Sequence, residues 1–239
     1  MIGNRNIRFT LASESEGLII RKLNFKLRFI LFIIILAAAG NIRSPGQLCP
    51  AAPFGYQYQK NFEINGSKVG GVLINFPVLV TLSVPHSTDL AHTSNGGHVC
   101  DINGNDIIFT DVNYNRLDHQ IESYSPANGQ LVAWVRFPIL SNTGNTTFRV
   151  LYGNCQISTV QSTENVWNSS YRGVWHLNGS DYGDASPTGN DGIPNSVSSI
   201  SGKIAGGARF RSTNSSYVRI PSPTGIVAPD QPQTISIWA

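Results

Sequence analysis

Charged side chains are scarce in this sequence. Asp, Glu, Lys and Arg make up 13% of its 239 residues, about half of the roughly 25% usual in globular chains. That scarcity argues against long solvated helices laced with ion pairs. The excess of basic residues is also local. Of the 17 Lys and Arg, six (Arg5, Arg8, Arg21, Lys22, Lys26, Arg28) lie in residues 1–40 beside two acids, Glu14 and Glu16. The remaining residues hold 11 basic against 12 of the 14 acidic side chains, so no charge argument for a nucleic-acid partner survives. Catalytic signatures are missing too: no GxSxG elbow, no HExxH, no P-loop and no Gly-rich dinucleotide turn. No CxxC or Cys/His spacing suggests zinc.

Hydrophobic runs are short, and the longest has a meaning of its own. FILFIIILAAA, from Phe29 to Ala39, follows Lys22, Lys26 and Arg28. It falls short of the roughly 20 residues that span a bilayer and has the form of a signal h-region with small residues behind it. Residues 1–40 therefore read as a cleaved signal peptide or, if retained, a membrane-anchoring helix, and the protein as secreted or displayed on the cell surface. Either way this segment contacts the membrane at least transiently. Cys49 lacks the preceding small residues of a lipoprotein site. Export permits disulfides. Of the three cysteines, Cys100 and Cys155 flank the strand-rich block and are the favoured pair, although spacing alone does not fix connectivity.

Gly, Asn, Ser and Thr take the place of the missing charges and favour strands joined by turns. Residues 41–54 read as a linker. Strand signals follow at Asn75–Val84, Asp106–Asp111, Leu117–Tyr124, Gln130–Phe137 and Asn145–Asn154, each bounded by Gly, Asn, Asp or Pro. A second series comprises Gly173–Gly179, Gly207–Ser212, Ser216–Pro221 and Thr234–Ala239, with a polar loop over Ser180–Pro194. No helical periodicity appears after the leader. The expected fold is all-β: an antiparallel β-sandwich over 55–168, then a truncated jelly-roll sandwich over 169–239.

Asn105–Pro138 holds the densest cluster of chemical groups, with His119 close to Asp118 and Glu122. Strand alternation puts Leu117, His119, Ile121 and Ser123 on one face and Asp118, Gln120, Glu122 and Tyr124 on the other. Asp118 and Glu122 are then about 13 Å apart, beyond the roughly 5–9.5 Å of a glycosidase pair. One hairpin register puts every apolar residue on a single face: Leu117 opposite Phe137, His119 opposite Val135, Ile121 opposite Ala133 and Ser123 opposite Leu131. It sets Asp118 opposite Arg136 and Gln120 opposite Trp134, and leaves Pro126-Ala127-Asn128 as a three-residue loop before a left-handed Gly129. Trp134, on the face away from the apolar one, is the binding candidate, since flat rings suit sugar faces. His86, His92 and His98, with Asp89 and Asp101, are too irregularly spaced for a metal site and read as a solvated loop. Asp181, Asp184 and Asp191 are calcium-ligand candidates in a Gly/Asp-rich loop that lacks the EF-hand pattern.

The block NGNDIIFTD…LDHQIESY…GQLVAWVRFPIL…NTTFRVLYGN resembles the bacterial domain of unknown function 2341. Asp106, Ile107, Phe109, Thr110 and Asp111 match its first strand pattern. Leu117, Asp118, Ile121, Glu122, Ser123 and Tyr124 match the second, and Ala133, Trp134, Val135 and Pro138 the third. Tyr152-Gly153-Asn154 matches its ending, with Leu151 as the departure. The likeness brings no catalytic residues. From Val174 onward, VWHLNG…DASPTGNDG…GGARFRSTNSSYVRIP…TISIWA resembles the start of a LamG-like, concanavalin A-like jelly roll, a type of domain that often binds glycans or proteins. The expected role is an exported, non-enzymatic surface protein that binds carbohydrate or another cell-surface component. Two rivals stand beside it: the non-catalytic part of a polysaccharide-degrading enzyme, and an interaction domain of a membrane transport assembly.

Overall fold

A computed structural model describes residues 7–8, 53–162, 164–179, 181–226 and 234–237. The expected signal or anchor helix at Phe29–Ala39, the linker up to Ala52, and Cys49 lie outside these residues. Among the described residues no helix is long and apolar enough to cross a membrane. A two-residue strand, β1 (Ile7–Arg8), comes first. The chain divides into two compact units, one spanning Leu31–Val166 and the other Trp167–Ala239 with residues 1–30.

The first unit carries β2 (Tyr58–Ile64), β3 (Leu73–Leu82), β4 (Ile108–Asp111), β5 (His119–Tyr124), β6 (Leu131–Leu140) and β7 (Thr146–Tyr152). Two antiparallel three-stranded sheets result, ordered β2-β7-β4 and β3-β6-β5. Both turn their alternate apolar residues into one core. Ile64, Phe109, Phe148 and Val150 enter it from the first sheet, and Val78, Val80, Val135 and Phe137 from the second. Phe137 meets Phe148 edge-on across the layer at 5.3 Å, a favoured aromatic geometry. These face-to-face sheets make the unit an all-β sandwich.

Two features of this sandwich depart from the sequence expectation. The strand at Tyr58–Ile64 was not anticipated, because Lys60, Asn61 and Glu63 dilute its pattern; its inward set is Tyr58, Lys60, Phe62 and Ile64. Lys60 is accommodated there by an ion pair with Asp89 at 2.7 Å. The strand expected at Asn75–Val84 runs from Leu73 to Leu82 and lies at a sheet edge. That edge tolerates Pro77, which has no N–H to give.

The second unit carries β8 (Ile193–Asn195), β9 (Ser198–Ser201), β10 (Gly206–Arg209) and β11 (Tyr217–Ile220). β9 pairs with β10, and β11 lies between β8 and β1, all antiparallel. The strand expected at Gly173–Gly179 does not form. Its backbone bonds go to a loop instead: the Val174 N–H donates to Asp184 at 2.8 Å, and the Val174 carbonyl accepts from the Ala185 N–H at 2.8 Å. Residues 234–237, part of the last expected strand, are also not in a strand.

Candidate functional site

The β5–β6 hairpin keeps half of the expected register. His119 pairs with Val135, Gln120 with Trp134 and Ile121 with Ala133. The Asp118 carboxylate forms an ion pair with Arg136, whose N–H donates to the Asp118 carbonyl at 2.8 Å. Beyond Ile121 the ladder shifts by one residue, so Ser123 meets Val132 and Tyr124 meets Leu131. The loop holds four residues, Pro126–Gly129, rather than three, closed by the Ser125 N–H on the Gln130 carbonyl. A bulge absorbs the difference. Tyr124 thereby leaves the face of Asp118 and Gln120 and packs on the core, its hydroxyl donating to the Leu90 carbonyl at 2.7 Å. Burial pushes that hydroxyl's pKa up.

The loop is docked on a neighbouring segment, and this docking sets the register. Gly129 has φ +71°, and a Cβ there would lie 2.0 Å from the Ser87 carbonyl oxygen. Ser87 Oγ donates to the Asn128 carbonyl at 3.0 Å, and the His92 N–H donates to the Pro126 carbonyl at 2.8 Å.

The acidic and histidine side chains of the block are taken up by the fold. Asp106 is buried and accepts the N–H groups of Cys100, Asp101 and Gly153 at 2.9, 3.0 and 3.1 Å. It ties together the two chain segments that the Cys100–Cys155 disulfide also joins. Asp111 accepts the N–H groups of Asn113 and Asn115 at 2.7 and 2.9 Å and closes the turn after β4. His119 is fully buried, 5.2 Å from the Phe109 ring, with Nδ1 3.1 Å from the Leu117 carbonyl oxygen. Burial lowers its pKa to about 4, so the ring is neutral at neutral pH.

Trp134 requires a correction. It does stand on the outer face of its sheet, between Gln120 and Leu79, but it is only 8% exposed. The short helical turn Glu164–Val166 packs against β5 and β6, and Ser162 Oγ accepts the Ile121 N–H at 3.3 Å. The chain after β7 thus crosses this face, and the flat open ring that made Trp134 a candidate is not presented.

The histidine loop also disperses. His92 bonds to Ser94 and to the Cys100 carbonyl, His98 stacks on Tyr58 at 4.0 Å, and His86 contributes its carbonyl to Lys60. Among the described residues no group of three or more His, Cys, Asp or Glu side chains is arranged to hold a metal ion. The calcium candidates serve their own loop. Asp184 accepts the N–H groups of Val174, Ser186 and Asn190 and the hydroxyls of Ser186 and Thr188, all at 2.8–2.9 Å. Burial alone would raise its pKa, but these donors outweigh it and hold the carboxyl below its ordinary value. Asp181 accepts from the Gly183 N–H and Asp191 from the Asp184 N–H. The three carboxylates face backbone donors rather than one another.

A different group gathers on the outer face of sheet β2-β7-β4. Arg149, on the central strand, pairs with Asn61 on one side and Thr110 on the other. Its guanidinium carbon lies 4.2 Å from the Tyr114 ring centre, a cation–π distance. Nε donates to Asn61 Oδ1 at 3.2 Å, and Nη1 reaches the Val112 carbonyl. Tyr114, held at φ +63°, donates its hydroxyl to Gln59 Oε1 at 3.1 Å. Beneath it lies a small apolar cluster of Tyr56, Ile108 and Leu151. Among the described residues Arg149 makes no ion pair, and Gln59 Nε2, Asn61 Nδ2 and Arg149 Nη2 make no hydrogen bond. The sequence reading missed this group because it joins residues up to 90 positions apart across a strand that was not anticipated. Arg149 alone left a signal, since alternation with Phe148 and Val150 turns it outward.

No curated protein and no solved structure matches this chain. Residues 103–178, which hold β4 to β7 and the motifs from Asp106 to Asn154, match the family model described as domain of unknown function (DUF2341), and the resemblance is borne out over that segment.

Proposed function

We propose that this is an exported, non-enzymatic surface protein that binds glycan through its first sandwich unit. The observation that carries the reading is the group on the outer face of β2-β7-β4, where an aromatic ring, two side-chain amides and a guanidinium with no ion pair among the described residues come together. Amides and guanidinium supply hydrogen bonds to sugar oxygens, and the apolar base beneath Tyr114 holds them in place. Export is supported by the Cys100–Cys155 bridge, which suits an oxidising compartment. A non-catalytic role is supported by the carboxylates of the hairpin block: Asp106, Asp111 and Asp118 are each engaged in holding the fold. In this reading the antiparallel strands β8–β11 belong to a LamG-like jelly roll.

The test is a glycan array probed with the intact chain and with Asn61→Ala, an exposed position that leaves the core untouched. The expected result is saccharide binding by the chain and its loss in the variant. A folded chain that binds no saccharide overturns the proposal.

A further inference from the structure

We infer that the Arg149 group binds an acidic saccharide, one whose sugar rings carry carboxylates, rather than a neutral one. The inference rests on glycan binding at this same site and adds the chemical class. The decisive feature is which hydrogen-bond donors are left over beside the Arg149 charge. Asn61 Oδ1 is taken by Arg149 Nε, and Gln59 Oε1 by the Tyr114 hydroxyl. Each amide oxygen thus accepts one bond within the protein, while the donors Asn61 Nδ2 and Gln59 Nε2 make none among the described residues. Arg149 does the same: Nε and Nη1 bond within the protein, and Nη2 is left over.

The group consequently brings three unused donor groups together with one positive charge. Such a group is complementary to carboxylate oxygens, since a charge-assisted hydrogen bond is roughly twice as strong as a neutral one. An acidic saccharide adds to the hydroxyls of a neutral one a carboxylate that can meet the Arg149 charge.

Two acidic side chains border the group. Asp111, closest in sequence to the Tyr114 loop, accepts from Asn113 and Asn115 and also interacts electrostatically with Arg149, without a direct ion pair. Glu63 lies two positions along β2 from Asn61 and accepts from Asn145. Its negative charge, roughly 7 Å away along the strand, repels a second carboxylate at that end and confines the anionic group to Arg149. The Tyr114 ring desolvates one face of the guanidinium and strengthens its interaction with an anion on the other.

The experiment is calorimetric titration of the intact chain with tetragalacturonic acid, its fully methyl-esterified form and inorganic phosphate. Arg149→Gln, Asn61→Ala and the exposed control Lys68→Gln are compared, with circular dichroism confirming the fold. The acid tetramer is expected to bind, about tenfold or more weaker for Arg149→Gln, several-fold weaker for Asn61→Ala and unchanged for Lys68→Gln. Its ester should bind at least tenfold more weakly, and the acid's affinity should fall with added salt. Equal affinity for acid and ester overturns the inference, as does an acid affinity indifferent to Arg149 and Asn61. Phosphate binding as tight as the tetramer also overturns it, since the site would then be a simple anion site. Should Arg149→Gln fail to fold, the ester comparison and Asn61→Ala decide alone. Neutral glycans bound on the array without the acid tetramer would leave the glycan-binding reading standing and remove this one.

Discussion

His119 and Asp106 show how single groups that look catalytic in sequence serve the fold instead. His119 is neutral in the folded state because burial holds its pKa near 4, against about 6.5 when unfolded. Between those values the unfolded chain binds a proton that the folded chain does not. Its contribution is therefore intact above about pH 6.5 and falls as pH drops towards 4. From pH 7 to 4.5 this residue should account for a loss of about 2–3 kcal/mol. Urea titrations at the two pH values should show that loss, and His119→Phe should shrink it even though the variant is somewhat less stable at pH 7. Asp184 works in the same direction at lower pH. Its carboxyl is held below the ordinary value, so its stabilisation is present above the unfolded pKa and is lost on further acidification. Asp106 presents two oxygens to three backbone N–H groups. Asparagine would turn an amino group towards at least one of them, whichever way it is flipped. Asp106→Asn should cost about 2–4 kcal/mol, read as a lowered urea midpoint with an unchanged slope.

At the scale of elements, the β5–β6 hairpin was legible in its first half and not in its second. The alternation of Leu117, His119 and Ile121 against Phe137, Val135 and Ala133 fixes the pairing near Asp118, because a slip by one would turn apolar side chains to solvent. The far half depends on the seating of Pro126–Gly129 against Ser87–His92, contacts that lie over thirty positions away in the chain. Gly129→Ala should destabilise by more than the roughly 1 kcal/mol of a left-handed alanine. Its Cβ would also strike the Ser87 carbonyl, and a drop in melting temperature measures the sum. The disulfide links residues 55 apart in sequence. Cross-linking a loop of that length removes about 4 kcal/mol of unfolded-state entropy. Joint replacement of Cys100 and Cys155 by alanine should lower stability by up to that amount in denaturant titrations.

At the scale of the molecule, one core built from both sheets predicts that residues 53–166 made alone unfold in a single cooperative transition, checked by coincident circular dichroism and fluorescence melts. The scarcity of charge, the turn residues and the two-residue periodicity determined an all-β chain, most of the strands in its first unit, the Asp118–Arg136 pair and the inward histidine. Local patterning suffices for these, since each depends on the face a side chain takes along its own strand or across one hairpin. The burial of Trp134, the bulge that turns Tyr124 inward and the loop-holding role of Asp184 were decided by tertiary structure. So was the meeting of Gln59, Asn61, Tyr114 and Arg149. Each depends on which distant segment comes to lie against a given face, and periodicity within one strand carries no information about what covers it.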